Sequence, residues 1–337
     1  MPGWETNWSV KSNFRKMKQG TILVDRDIPF VEGVFEEWFT VRYLAGRAIG
    51  PEDVRDASAL VIRTRTRCDA ALLADTKVRL IATATIGTDH IDLPFCADHG
   101  IEVVSAPGCN AAAVAQYVRV ALRTLDLVRP GATLGVIGAG HVGSLVAAEG
   151  RQAGLRVLLN DPPRAQVEGP GAFTPLPALL AQADIVTLHI PLWPENRDFA
   201  GRRFFSMMRA GASLINASRG EVLDEAALLA VRDRLDKVVL DVWKNEPQID
   251  LRLLAAADLA TPHIAGYSIQ GKINGTEAVV RAVGRRFGIP QLQQFTVRNV
   301  TLPDEPYDIR ADDAALRRDP SAFERLRNGY AYRNDRL

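Results

Sequence analysis

The feature of this 337-residue chain that most restricts its fold is a glycine-rich turn between a strand-like run and a helix-like segment. The apolar run Thr133–Ile137 leads into Gly138-Ala139-Gly140-His141-Val142-Gly143, and a second strand-like run, Arg156–Asn160, ends at Asp161. A GxGxxG pattern alone is weak evidence. Between a strand and a helix, with an acidic residue about 20 positions further on, it predicts a βαβ unit that binds a dinucleotide.

Each glycine of the motif has a separate physical task. Gly138 makes the tight turn, Gly140 lets the backbone approach a pyrophosphate, and Gly143 lets the helix pack closely on the strand. The free N–H groups and partial positive charge of the helix N-terminus then face the anion. We therefore predict a cofactor site at these glycines, with His141 and Val142 as further contacts at the start of the helix.

Asp161 indicates which dinucleotide is bound. A carboxylate at the end of the second strand accepts hydrogen bonds from the adenine-ribose hydroxyls and repels a 2′-phosphate. NAD is therefore favoured over NADP. Arg164 is the opposing feature, because an arginine at this place can accommodate the 2′-phosphate.

Short apolar runs alternate with segments that are long enough for helices. This alternation is typical of a parallel sheet covered on both faces, and it occurs in both halves of the chain. We predict an α/β fold with two doubly wound parallel-sheet domains of Rossmann or flavodoxin-like type. The strand-like runs are Thr21–Val24, Ala59–Ile62, Arg79–Ala82, Ile101–Val104, Thr133–Ile137, Arg156–Asn160, Asp184–His189, Ala212–Asn216, Lys237–Val242 and Asp258–Thr261.

The expected domain division follows the same pattern. Residues 21–113 and 266–288 form a substrate domain, and residues 114–265 form the NAD-binding domain. After Gly288 the apolar runs thin out, so residues 289–337 are either a small appended module or a partly disordered end. Residues 1–20 lack an apolar signal region and are expected to be a disordered extension.

Composition excludes several other classes of protein. Lys and Arg number 41 against 40 Asp and Glu, a net charge of +1, which gives no field for nucleic-acid or membrane-surface binding. No run of about 18 apolar residues predicts a membrane span. The three cysteines lack paired spacing, so we expect reduced thiols in a cytoplasmic protein, with neither disulfides nor a metal site.

Three later segments each place a chemically active side chain just after a strand-like run: Arg219, Glu246 and His263. Ligands of an open parallel sheet bind outside the carboxyl ends of its strands, so all three residues can converge on one crevice. A 2-hydroxy acid that loses a hydride must also lose its hydroxyl proton, and His263 is suited to accept it. Glu246 would orient the imidazole and favour its protonated form, and Arg219 would bind the carboxylate.

The chain resembles the D-2-hydroxyacid dehydrogenase family. The matching motifs are Gly138 to Gly143, Asn216-Ala217-Ser218-Arg219-Gly220, Asp241 with Glu246-Pro247, and Pro262-His263. Segments such as Thr83 to Asp92, Ala106 to Ala111, Asp161 to Ala165 and His263 to Tyr267 narrow the resemblance to the subfamily that oxidises 4-phospho-D-erythronate. The likeness covers about residues 21–288, with a weaker echo near Phe323 to Tyr330.

This resemblance implies an activity, partners and further site residues. The implied reaction is NAD-dependent oxidation of 4-phospho-D-erythronate to the 2-oxo acid, an early step toward pyridoxal phosphate, in a homodimer. Thr64, Thr85 and Tyr267 match substrate-contacting positions. Asp161, Asp241 and Gly266 match positions that contact NAD.

The phosphate of such a substrate needs cationic donors. Arg63, Arg65 and Arg67 alternate in sequence, so an extended segment would place them on one face. We predict Arg63 as a substrate-binding residue, and Arg310 or Arg333 from the tail as possible helpers. For each arginine the alternative is a solvated or ion-paired surface charge.

Two other functions are compatible with the same motifs. The first is a related dehydrogenase or reductase for another small acid, such as glyoxylate, hydroxypyruvate or 3-phosphoglycerate. The second is a non-catalytic module that binds NAD as a sensor. The presence of Arg219, Glu246 and His263 together favours an enzyme.

Overall fold

The computed structural model describes residues 18–336. Most of the predicted disordered extension, residues 1–17, lies outside the described residues. Eleven strands form two separate sheets in which every strand pair is parallel. The predicted α/β architecture with two parallel sheets is therefore confirmed.

The first sheet has five strands in the order β2-β1-β3-β4-β5. Its central strands are continuous apolar runs because helices cover both of their faces. Its strands are β1 (Thr21–Asp25), β2 (Thr40–Leu44), β3 (Ala57–Ile62), β4 (Leu80–Thr83) and β5 (Glu102–Val104).

Strand β2 was not predicted, because only helices were expected between β1 and β3. It pairs with β1 alone at the edge of the sheet, and none of its five residues is fully buried. Thr40 and Arg42 interrupt its apolar residues. An edge strand of this kind lacks the continuous apolar run that identifies a central strand of a parallel sheet.

The second sheet has six strands in the order β11-β10-β9-β8-β6-β7. The strand order reverses between β6 and β8, and such a reversal opens a crevice at the carboxyl ends of the two strands. The strands are β6 (Thr133–Ile137), β7 (Arg156–Asn160), β8 (Ile185–Leu188), β9 (Ser213–Asn216), β10 (Val238–Leu240) and β11 (Leu259–Ala260).

Helices cover both sheets. They are α1 (Pro51–Val54), α2 (Ala70–Leu73), α3 (Leu93–Asp98), α4 (Ala111–Thr124), α5 (His141–Gln152), α6 (Pro162–Glu168), α7 (Leu176–Gln182), α8 (Arg202–Met207), α9 (Glu225–Val231), α10 (Leu251–Ala256), α11 (Ile269–Arg286), α12 (Pro290–Gln293), α13 (Ile309–Arg318) and α14 (Phe323–Asn328). None of the described helices is both long enough and apolar enough to cross a membrane.

The chain crosses between the sheets twice. Helix α4 packs into the core of the second sheet, whereas α11 returns to the first sheet, where it packs on β4 and buries Val279, Val280 and Val283 in the core. This packing supports the division we propose, with residues 21–113 and 266–288 in one domain and residues 114–265 in the other.

The C-terminal segment is folded against the second sheet. Leu316 of α13 and Phe323 of α14 are completely buried in the core of that sheet, and Ile309 is buried on its other face. Arg333 is also buried. Of the two possibilities for residues 289–337, the structure shows an ordered, packed segment up to residue 336.

Candidate active site

The glycine-rich turn lies where the strand order of the second sheet reverses. Gly138 has a φ of 85°, and a side chain at this position would strike the carbonyl of His189. At Gly143 a side chain would overlap the Gly138 carbonyl. Gly140 differs, because nothing lies within 4 Å of the place its side chain would occupy. The space beside Gly140 is therefore open to a ligand.

The start of helix α5 faces that space. This helix has 12 residues, and its N-cap residue, Gly140, offers no side-chain acceptor for the first N–H groups. These N–H groups and the helix dipole suit an anion. The residues that are present therefore fit the pyrophosphate of a dinucleotide.

Asp161 is held at the edge of the turn. One carboxylate oxygen accepts the Ala139 N–H at 2.8 Å, and the other accepts the Arg164 N–H at 3.1 Å. The Arg164 guanidinium pairs with Glu168 at 2.6 and 2.7 Å, so its charge is neutralised locally. A ribose contact by Asp161 stays a prediction, and the Arg164–Glu168 pair supports a preference for NAD over NADP.

His141 and Val142 occupy the first turn of α5. A side chain at Gly108 would come within 3.1 Å of the His141 ring, so this histidine packs against a loop that follows β5. Val142 is partly buried against the core of the second sheet. Contact of either residue with the cofactor stays a prediction.

His263 and Glu246 form a hydrogen-bonded pair. His263 Nδ1 and Glu246 Oε2 are 2.8 Å apart, and the other Glu246 oxygen accepts the Trp243 N–H at 3.0 Å. Within residues 18–336 no side chain or backbone group hydrogen-bonds His263 Nε2, and the histidine side chain is 26% exposed. Nε2 is therefore available to a substrate.

The environment of Glu246 keeps its carboxylate ionised. Burial alone would raise the pKa of Glu246, but the His263 imidazole, the Arg327 guanidinium and the Trp243 N–H together hold this pKa below its ordinary value. An ionised carboxylate fixes the orientation of the imidazole and stabilises the positive charge it acquires on accepting a proton.

Asp241 fixes the loop that carries His263. Its buried carboxylate accepts the Thr261 hydroxyl at 2.6 Å and the N–H groups of Ile264 and Ala265 at 2.8 and 2.9 Å. Its backbone carbonyl accepts the His263 N–H at 2.7 Å. These bonds hold His263 at a φ of 58°, a left-handed conformation that needs such support. An NAD contact by Asp241 stays a prediction.

Arg219 contacts the loop after β4 that also carries Thr85. Arg219 follows β9, and its Nε donates to Asp89 at 3.2 Å, beyond the end of β4. A side chain at Gly87 would collide with the guanidinium. Thr85 lies two residues before Gly87, and its hydroxyl is 2.8 Å from the Thr83 hydroxyl. The loop after β4 therefore carries Thr85 and contacts Arg219, and substrate contacts by both residues stay predictions.

The expectation that Arg63, Arg65 and Arg67 share one face is wrong. The chain turns at Thr64 and Arg65 instead of staying extended, so the side chains diverge. Arg67 is 85% exposed and pairs with Asp69.

Arg63 lies against carboxylates. Its guanidinium donates to Asp25 at 3.0 Å and to Asp27 at 2.7 Å. Thr64 is exposed on the turn beside it. Substrate contacts by Arg63 and Thr64 stay predictions.

Tyr267 is partly buried in a basic environment. Its hydroxyl accepts from Arg327 Nε at 3.2 Å, and the Lys272 ammonium lies 4.1 Å from the centre of its ring. Burial alone would raise the pKa of Tyr267, but Arg327 and Lys272 lower it below the ordinary value. Gly266, just before it, packs so closely on the Asn110 amide that a side chain would overlap that group. An NAD contact by Gly266 stays a prediction.

Arg327 is a site residue that the sequence interpretation missed. It lies on α14, and its NH1 group is 3.4 Å from Glu246 Oε2, next to the His263 pair. The only signal was the weak family echo over residues 323–330, which did not single out a residue. Its position depends on how α13 and α14 pack, which no local pattern encodes.

Arg310 and Arg333 were predicted to help bind the substrate phosphate, but in the structure both side chains donate to backbone carbonyls. Arg310 donates to the Thr124 carbonyl on the surface. Arg333 is buried, and it donates to the Ile264 and Tyr267 carbonyls at 2.9 and 3.1 Å. Arg333 therefore supports the loop behind His263 and is not a substrate ligand.

Comparison with known proteins agrees with this geometry. Residues 119–265 match the family model for the D-isomer specific 2-hydroxyacid dehydrogenase, NAD binding domain. Erythronate-4-phosphate dehydrogenase of Bacteroides fragilis is 42% identical in an alignment 336 positions long, which covers 93% of this chain and 97% of the relative. The Chromohalobacter salexigens enzyme of the same name is 45% identical over 333 residues, covering 91% and 86%.

A solved structure shows the same architecture. The crystal structure of D-lactate dehydrogenase from Aquifex aeolicus, complexed with NAD and lactic acid, superposes with a TM-score of 0.69 at 26% identity. The match covers 83% of this chain and 100% of that one.

The crevice, the glycine-rich turn and the His263–Glu246 pair define an NAD-dependent dehydrogenase of 2-hydroxy acids. The chain belongs to the erythronate-4-phosphate dehydrogenase family, within the D-isomer specific 2-hydroxyacid dehydrogenases. The family and cofactor predicted from the motifs are thus confirmed.

Proposed function

We propose that this enzyme oxidises 4-phospho-D-erythronate to the corresponding 2-oxo acid. The observation that carries the proposal is the His263–Glu246 pair, which leaves Nε2 without a hydrogen-bond partner among residues 18–336. Arg219 follows β9, a strand of the same sheet. The name shared by the relatives supports the choice of substrate. A cluster of cations beyond this pair gives a phosphorylated acid a place to bind.

The proposed chemistry assigns one task to each side chain. NAD, when bound, accepts the hydride that leaves C2 of the substrate. His263 Nε2 takes the proton of the 2-hydroxyl group as that bond becomes a carbonyl. Glu246 keeps the imidazole in one orientation and stabilises its charge. Arg219 binds the substrate carboxylate and polarises the developing carbonyl through its planar guanidinium.

We propose the remaining site contacts as the sequence predicted them. Gly138, Gly140, His141, Val142 and Gly143 hold the cofactor phosphates. Asp161 binds the adenine ribose, and Asp241 and Gly266 also contact NAD. Arg63, Thr64, Thr85 and Tyr267 contact the substrate.

We also propose that the enzyme works as a cytoplasmic homodimer at an early step toward pyridoxal phosphate. The family resemblance supports the dimer and the pathway, and the reduced state expected for the three cysteines supports the compartment. The cysteine least covered by protein, Cys109, has its pKa raised to about 11 by burial, so it is a poor nucleophile at neutral pH.

The test is a substrate panel with NAD and NADP as alternative cofactors. NADH formation, or reduction of tightly bound NAD, is measured with 4-phospho-D-erythronate, D-erythronate, 3-phosphoglycerate, and the reduced acids of glyoxylate and hydroxypyruvate. We expect the highest kcat/KM with 4-phospho-D-erythronate and NAD. Equal rates with and without the phosphate would leave only the broader dehydrogenase family. Binding of NAD without turnover of any acid would instead identify a sensor.

A further inference from the structure

Four cations lie near Tyr267 and Lys272. Arg327 and Lys272 contact Tyr267 directly, Arg65 also acts electrostatically on Tyr267, and Arg63 acts on Lys272. We call Arg63, Arg65, Lys272 and Arg327 the basic cluster. They come from the turn after β3, from the first turn of α11 and from α14. A group of like charges at this density is unfavourable unless anions compensate it.

Two members of the basic cluster have carboxylate partners, at and just after the end of β1 and in α14. Arg63 donates to Asp25 and Asp27 at 3.0 and 2.7 Å. Arg65 pairs with Glu324 at 2.9 Å. Each guanidinium therefore carries little net charge toward a ligand.

Arg327 is compensated as well. Its guanidinium lies 3.4 Å from Glu246, which already holds His263, and its Nε donates to the Tyr267 hydroxyl at 3.2 Å. The Arg327 side chain is 13% exposed. It is thus fixed between the catalytic pair and the tyrosine.

Lys272 is the exception. Within residues 18–336 no carboxylate lies at ion-pair distance from its ammonium. The ammonium instead lies against two aromatic rings, 4.1 Å from the centre of Tyr267 and 5.0 Å from that of Tyr332. Burial lowers the pKa of Lys272, and Arg63 and Arg327 lower it further.

We propose that Lys272 is the principal phosphate-binding cation of this enzyme, and that its lack of a carboxylate partner reserves its charge for the substrate. The inference rests on the proposed function and deepens it. Ring faces attract a cation only weakly compared with a dianion. A phosphate group beside Lys272 supplies the missing counter-charge, and Arg327 and Arg63 can add hydrogen bonds to it.

The arrangement also separates the two ends of the substrate. Arg219 lies with Asp89 at the loop after β4, where it binds the carboxylate. Lys272 lies over the Tyr267 ring, and Arg327 contacts both the Tyr267 hydroxyl and Glu246 of the catalytic pair. A hydroxy acid with its reacting carbon at His263 can extend along Tyr267 and place a terminal phosphate at Lys272. An acid without that phosphate leaves Lys272 unpaired.

The test compares Lys272→Met with wild type. Methionine keeps an unbranched apolar stem against Tyr267 and removes the charge. Steady-state kinetics are measured with 4-phospho-D-erythronate and with D-erythronate, together with inhibition by inorganic phosphate. We expect KM for the phosphorylated acid to rise roughly tenfold to a hundredfold, the scale of one charge-assisted contact. KM for D-erythronate and the affinity for NAD should change little, and inhibition by phosphate should weaken.

Two further variants sharpen the result. Lys77→Met removes an exposed lysine that pairs with Asp56, and it should leave all of these constants unchanged. Lys272→Arg keeps the charge and should retain most of the preference for the phosphorylated acid; it also provides the measurement if Lys272→Met does not fold.

The outcomes separate the two proposals. A wild type that prefers the phosphorylated acid, with a Lys272→Met variant that keeps that preference, overturns the role of Lys272 and leaves the proposed function standing. Equal losses on both acids likewise show a structural lysine and overturn the inference. A wild type indifferent to the phosphate overturns the proposed function itself.

Discussion

The two sides of the cleft bind anions in different ways. The cofactor side is built from one continuous stretch, residues 138–161, and offers backbone N–H groups at the start of α5. The substrate side is assembled from the loops after β3, β4, β9 and β11 together with helices α11 and α14, and it offers side-chain cations. The difference shows that the cofactor site depends on the backbone of one segment, so a substitution that moves this backbone disturbs the whole site. The substrate site depends on separate side chains, so a substitution can remove one of them and leave the others in place.

The two sides also differ in how their charge is balanced. On the cofactor side Arg164 is paired with Glu168, and the positive potential comes from a helix dipole. On the substrate side each arginine of the basic cluster has a carboxylate partner, and Lys272 has none among the described residues. The role we propose for Lys272 rests on this difference in charge balance.

The largest difference between the effect on turnover and the effect on NAD binding is expected for His263→Ala. Loss of a positioned acid–base group should lower kcat by about 100-fold or more, while the Kd for NAD stays near the wild-type value. Turnover and NAD titration check the prediction, with His99→Ala as a matched control because His99 is exposed on α3's C-terminal end. A variant with a sizeable share of the wild-type rate would show that another group takes the proton.

Removal of Arg333 tests whether the C-terminal segment stabilises the loop that follows His263. Arg333→Ala leaves several buried carbonyls without their donor, so we expect the free energy of unfolding to fall by more than about 2 kcal/mol. Urea denaturation measures it. Arg310→Ala is the control, since an exposed arginine with one carbonyl contact should change stability by about 0.5 kcal/mol or less. Similar stabilities for the two variants would contradict the role of Arg333.

The cofactor side is tested at Asp161. Asp161→Ala should weaken NAD binding by roughly thirtyfold, about 2 kcal/mol, because two ribose hydroxyls lose a charged acceptor. NADP should be affected less, so the preference for NAD narrows. Fluorescence titration with both nucleotides gives the comparison. If the wild-type protein binds NADP as well as NAD, Asp161 does not select the cofactor.

The smallest rate effect is expected for Glu246→Gln. The amide still orients His263 but no longer stabilises the protonated imidazole, so the rate at the optimum should fall by about tenfold or less. Steady-state kinetics of the two proteins give the comparison. A Glu246→Gln variant with the wild-type rate would show that the two residues are not coupled in catalysis.

Much of the fold could be predicted because the buried strands are continuous apolar runs. Strand β2 could not, since it lies at an edge and is only partly buried. His263, Glu246 and Arg219 could be placed near one another because each follows a parallel strand of the same sheet.

The substrate side shows where this reasoning stops. We expected Arg63, Arg65 and Arg67 to lie on one extended segment, but the chain turns there. In addition, Asp25 and Asp27, at and just after the end of β1, neutralise Arg63. Arg327 and Lys272 reach Tyr267 only through the packing of α14 and α11. Contacts between distant segments and the balance of their charges are properties of the folded chain.

The hydrogen bonds that Arg333 donates to the loop after His263 have a consequence for the newly synthesised protein. Domains fold as the ribosome releases them, N-terminal parts first, so the glycine-rich turn and Asp161 emerge long before the tail. The loop that follows His263 receives its support from Arg333 only after residue 333 has been synthesised. A chain that stops before Arg333 therefore has the residues that hold the dinucleotide but lacks the support of the loop next to His263.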